Sequence, residues 1–135
     1  IAVPLFLVAA ACSPDTDVGD SGVLEVQKQL ESTFCHSTLY ECANTTPASC
    51  RSLAESAFVR CPTNKLASTI GAAVDGAGSD TEVVREAEEY GVCFSEHFQE
   101  LASLEGIPLD CIVEAATDAN ERQKVEARKT LKNHN

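Results

Sequence analysis

Residues 34–61 read FCHSTLYECANTTPASCRSLAESAFVRC, and four of the chain's seven cysteines fall in this stretch. They are spaced Cys35-x6-Cys42, then a polar turn, then Cys50-x10-Cys61. An α-helix turns about 100° per residue, so positions seven or eleven apart return to within about 20° of one direction. Each pair therefore lies along one face of its own helix, too far apart to bond to each other. The stretch is expected to form two antiparallel helices stapled by disulfides. That geometry favours Cys42 with Cys50 near the turn and Cys35 with Cys61 at the far end, although the axial offsets differ by four residues, about 6 Å. The turn carries its own punctuation. Thr46 can cap the second helix, and Pro47 suits its first position, where a missing N–H costs nothing. In that helix Cys50, Leu53, Ala54, Ala57, Phe58 and Cys61 share one stripe, so the cysteines point into the buried face. Free buried thiols would give the same stripe. Zinc is disfavoured, because no C-x2-C knuckle is present.

Composition explains why staples are needed. The chain has 135 residues, enough for one domain; 44% are apolar but only 5% aromatic, and Trp and Met are absent. A core of Ala, Val, Leu and a few Phe is thin, and disulfides are the common supplement in small exported domains. The formal net charge is −11. It is unevenly spread: five Lys/Arg and nineteen Asp/Glu up to Asn120, then five and two. So acidic a body excludes the basic face that phosphate contacts with nucleic acid require.

Upstream of the hairpin, eleven apolar residues, IAVPLFLVAAA, precede Cys12. They are too few for a membrane span, which needs ~20. Residues 1–11 match the h-region of a truncated signal peptide ending in small residues. Val8-Ala9-Ala10-Ala11-Cys12 resembles the lipobox of bacterial membrane lipoproteins, with Ala9 where that family prefers Leu. The resemblance implies cleavage before Cys12 and lipidation of its thiol, and Ser13 after it resembles the outer-membrane sorting pattern. Cleavage after an A-x-A-like site by the ordinary signal peptidase is the alternative. Removing Cys12, by lipidation or by cleavage, leaves six cysteines, enough for three bridges. Residues 12–22 are rich in Asp, Gly and Ser and are expected to be a flexible tether.

Helical periodicity begins at Val23. Val23, Val26, Leu30 and Phe34 recur at helical spacing, and Cys35, Leu39 and Cys42 continue on an adjacent strip, predicting one helix to about Ala43. Leu66, Ile70, Ala73 and Val74 mark a short third helix. The loop DGAGSD over 75–80 lacks the ligand spacing of a calcium loop. Ser79-Asp80-Thr81-Glu82 is a capping box opening the longest helix, which ends near Gly106. Pro108 begins the last helix. Cys93 and Cys111 flank the turn between these two and could pair, while pairings that tie the two hairpins together, such as Cys61 with Cys93, stay open. The expectation is an all-α fold: a small helical bundle of about five helices over 23–120, built on the stapled hairpin, with a charged helical tail over 121–135.

Chemistry-bearing patterns are sparse. His97 lies one turn beyond Cys93, a spacing open to a metal or a Cys–His nucleophile pair, but it is read as the edge of a buried stripe beside a bonded Cys93. His36 is expected to point away from Cys35, and His134 lies in the tail. Glu86/Glu89 and Glu96/Glu100 read as solvated helix face. No nucleophile elbow, phosphate loop or zinc-protease helix is present. The function expected is a non-enzymatic exported interaction module, anchored in the cell envelope if Cys12 is lipidated, with no catalytic residue, metal or cofactor and with an unidentified protein partner. A small secreted carrier of an apolar ligand is the alternative, and a secreted signalling or toxin-like protein is another.

Overall fold

The computed structural model describes residues 14–134 as six helices: α1 (Pro14–Phe34), α2 (Ser37–Ala43), α3 (Pro47–Val59), α4 (Asn64–Val74), α5 (Asp80–Leu104) and α6 (Leu109–His134). No strand occurs among the described residues. The fold is all-α. The signal segment and Cys12 lie outside the described residues.

Local chemistry sets the helix ends. Thr46 caps α3 by accepting from the Ser49 N–H at 3.1 Å, with Pro47 in the first turn. Ser79 accepts from the Glu82 N–H at 3.2 Å at the start of α5. That helix ends at Gly106, whose φ of +81° is a left-handed conformation that glycine adopts without penalty. The Gly106 N–H bonds Ser103 O and the Ile107 N–H bonds Ala102 O, so two carbonyls of the last turn are satisfied. Ile107 and Ala102 are both buried, which locks the reversal into α6.

Two expectations fail here, both for physical reasons. The first predicted helix does not run through to Ala43. It breaks at Cys35-His36, where His36 is extended, with φ −152° and ψ −179°. Hence there are six helices where about five were expected. The stretch over 12–22, expected to be a flexible tether, is helical from Pro14. Its glycines allow a close approach: a Cβ on Gly19 would meet the Ala67 carbonyl oxygen at 2.5 Å, and one on Gly22 would meet the Ile70 side chain at 2.8 Å.

The chain divides into two compact units. One comprises the residues up to Gln27 together with Cys61–Cys93. In it Val23, Leu66 and Tyr90 are buried, Gln27 donates to the Tyr90 hydroxyl at 2.9 Å, and Cys61 is bonded to Cys93. The other comprises Lys28–Arg60 and Phe94–Asn135. Its core joins Phe34, Leu39, Leu53, Phe94, Phe98 and Ile112, with alanines from α3, α5 and α6 between them. Phe94 stacks on Phe58 at 4.5 Å and Phe34 on Phe98 at 5.0 Å between ring centroids.

The second unit holds the other two bridges, Cys35–Cys50 and Cys42–Cys111. The favoured pairings, Cys42 with Cys50 and Cys35 with Cys61, are not formed, and neither is Cys93 with Cys111. The break at Cys35-His36 is the reason. It leaves Cys35 facing Cys50 on α3 and redirects α2, so that Cys42 meets Cys111 on α6.

Truncating Phe98, which is fully buried, is expected to cost about 3–5 kcal/mol. Val59 is 87% exposed, and its change to Ala should stay within about 0.5 kcal/mol. Urea denaturation of the two variants checks this contrast. Similar losses for both would refute the assigned core.

Candidate functional site

In the second unit the break that disrupts the predicted helix creates a polar cluster. His36 caps no helix with its side chain. Its Nε2 lies 2.9 Å from the Ala115 carbonyl oxygen and 3.1 Å from that of Thr33. Carbonyls only accept, so Nε2 carries the proton and Nδ1 accepts from Arg122 Nη2 at 2.8 Å. The same Arg122 nitrogen reaches Asp118 Oδ2 at 2.8 Å, and the Thr38 hydroxyl donates to that oxygen at 2.6 Å. Four side chains from the break, α2 and α6 thus form one clasp, and the Cys42–Cys111 bridge links the same two helices. The Thr38 hydroxyl first, and the Arg122 guanidinium after it, hold the Asp118 carboxyl below its ordinary value, while partial burial pulls the other way.

The clasp contains a hydroxyl, an imidazole and a carboxylate, but not in catalytic order. A general base must face the hydroxyl it activates. Here Thr38 donates to Asp118 and the His36 Nε2–H points at backbone carbonyls, so the imidazole is committed to packing. Nothing in the sequence singled out this cluster. Thr38 and Asp118 are eighty residues apart, and the reading of His36 as pointing away from Cys35 assumed an unbroken helix.

Each cysteine named from sequence beyond Cys12 is consumed in a bridge. Cys93, bonded to Cys61, therefore supplies no thiolate for a Cys–His pair. His97 is half-buried; its Nδ1 is enclosed without a hydrogen-bond partner, and Glu100 Oε2 stands 3.9 Å away. Glu89, Glu96 and Glu100 lie on exposed helix face, as expected. Glu86 does not: it is 5% exposed and its Oε1 lies 3.1 Å from Lys65 Nζ. Lys65 reaches it from α4, an element the helical spacing of the glutamates could not anticipate. One turn along α5 from Glu86, burial pushes the Tyr90 hydroxyl up, and the hydrogen bond from Gln27 opposes that.

A carrier of an apolar molecule needs an enclosed cavity. The hollow of about 480 Å³ beside Gly19, Ala67 and Gly71 in the first unit is an open groove.

The clasp should make stability sensitive to acid. Asp118 titrates lower in the folded chain than in the unfolded one, so its contribution is full above the unfolded value and is lost as pH falls through the folded value. Denaturant unfolding at a series of pH values should show a shallower acid loss for Asp118→Asn, and for Thr38→Val, than for the wild type. Parallel profiles would mean that the clasp contributes nothing.

Comparison with protein-family models, with curated proteins and with solved structures found no match for this chain.

Proposed function

We propose that this chain is a non-enzymatic interaction module, exported to an oxidising compartment and anchored in the cell envelope through a lipid on Cys12. The pairing of all six cysteines from Cys35 to Cys111 carries the reading. Disulfides form and persist outside the reducing cytosol, and small domains with little aromatic mass depend on them there. The resemblance of Val8–Cys12 to a lipobox supports the anchor. No helix among the described residues is long and apolar enough to cross a membrane. The non-catalytic reading is supported by how the reactive groups are used. The thiols are bonded, and His36, Thr38 and Asp118 satisfy one another and the backbone.

The contact surface we assign is the end of α6. Every residue from Glu121 to Lys132 is exposed. Of the five basic side chains there, Arg122, Lys124 and Lys129 pair with acidic neighbours. Arg128 and Lys132 lie one turn apart, and no ion pair engages them among the described residues. An exposed helix of this length is marginal in water without packing, and its surplus positive charge suits an acidic protein partner.

Intact mass of the chain expressed with its complete leader tests the reading. The mature protein should begin at Cys12 with a mass gain of lipid size, and reduction should add six hydrogen atoms for the three bridges. Six thiols alkylatable without reduction would overturn the export argument. Oxidised protein without added lipid mass would overturn only the anchor.

A further inference from the structure

We infer that the cavity beside the Cys61–Cys93 bridge binds a small aliphatic ammonium ion, and that Lys65 is a tethered occupant of its cation position. The inference does not depend on export or lipidation. It begins with Glu86, the one buried charged side chain among the described residues, 5% exposed. A carboxylate withdrawn from water requires a cation or several donors. The cation Glu86 has is unevenly matched: Lys65 Nζ sits 3.1 Å from Oε1, yet the Lys65 side chain is 73% exposed on a flexible stem. Water can solvate the departing lysine. The carboxylate, its side chain 6% exposed, is solvated far less.

The surroundings fit an exchange of cations. Glu86 and Lys65 border a cavity of about 210 Å³, contained within the first unit. Pro62, Leu66, the Tyr90 ring and the bridge itself supply apolar wall, and Glu89 adds a second carboxylate at the edge. Sites for drug-sized ligands run ~300–1,000 Å³, so this one suits a short molecule. Two carboxylates against one ammonium leave one negative charge, which excludes anions. An apolar wall beside a desolvated carboxylate selects an alkylammonium over a bare metal ion, whose hydration shell it could not replace. In this geometry the butylammonium-like side chain of Lys65 is itself the nearest analogue of the ligand.

The probe is n-butylammonium chloride, with sodium chloride at equal ionic strength and n-butanol as controls. The chain has two tyrosines and no tryptophan. In a Tyr40→Phe background the fluorescence therefore reports Tyr90 alone. Saturable quenching by butylammonium, and by neither control, is expected. Lys65→Ala should tighten binding several-fold, because it removes the competitor. Glu86→Gln should weaken it by about tenfold or more, with circular dichroism confirming the fold. Should that variant not fold, Glu89→Gln should weaken binding in the same direction. The sign of the Lys65→Ala effect decides. Weaker binding in that variant, or a response to butylammonium no different from that to salt, overturns the proposal.

Discussion

Phe94 touches three rings, Phe34, Phe58 and Phe98, at centroid distances of 4.5–5.8 Å, and all four belong to one core. A chain with five phenylalanines, two tyrosines and no tryptophan has placed five of its seven aromatic residues, these four and Tyr40, in one core. Each aromatic pair is worth ~0.5–1.5 kcal/mol beyond the area it buries. The packing around the rings depends on this concentration. Ala54, Ala57, Ala102 and Ala115 are fully buried, and they let the helices come close enough for few large side chains to fill the space. The arrangement has little redundancy, because small residues elsewhere in the unit cannot replace a missing ring.

The bridges offset that thinness in a way that depends on sequence distance. Cys35–Cys50 closes a separation of 15 residues and Cys42–Cys111 one of 69. In the chain-entropy account the longer closure restricts the unfolded ensemble more, about 4 against about 3 kcal/mol. The pairing that hairpin geometry favoured would have closed two loops inside residues 35–61. The pairing observed sends one bridge from α2 to α6. The hairpin is thereby tied to the last helix rather than merely to itself.

Much of the fold was legible, and the failures have one common origin. Thr46-Pro47, Ser79 to Glu82 and Gly106 act at the helix ends they marked, because capping is a contact between residues three or four apart. The apolar stripe of Cys50, Leu53, Ala54, Ala57 and Cys61 likewise found the inward face of α3. Bridge pairing and the clasp were not legible, since a spacing says which face of a helix a cysteine occupies and not which helix faces it. One signal was present but misread. Cys35, Leu39 and Cys42 shift to a strip adjacent to that of Val23, Val26, Leu30 and Phe34. A shift of stripe can be absorbed by a long helix or by a break, and the chain breaks at His36. The tether was misread for a related reason. Gly19 and Gly22 loosen a chain in isolation, yet against Ala67 and Ile70 they are what permits contact. Composition cannot distinguish these uses, because the difference lies in the partner.

The two kinds of link around α2 respond differently to their surroundings. The Cys42–Cys111 bond is covalent and indifferent to pH or salt. The clasp beside it depends on an ionised Asp118 and a guanidinium 55% exposed, so it weakens in acid and is screened by salt. A chain with twenty-one acidic and ten basic residues also repels itself at neutral pH. That repulsion fades as ordinary carboxylates take up protons and is gone near the isoelectric point of about 4.5, above the range in which the clasp loses strength. Acid therefore relieves the global repulsion first and releases the local link only at lower pH. With the bridge intact, loss of the clasp leaves α2 tethered to α6 at Cys111 and packed through Leu39, but no longer oriented by Thr38. The bond limits how far the helix can move, and the clasp sets which way it faces. Orientation, not attachment, is thus the property of α2 that its polar residues control.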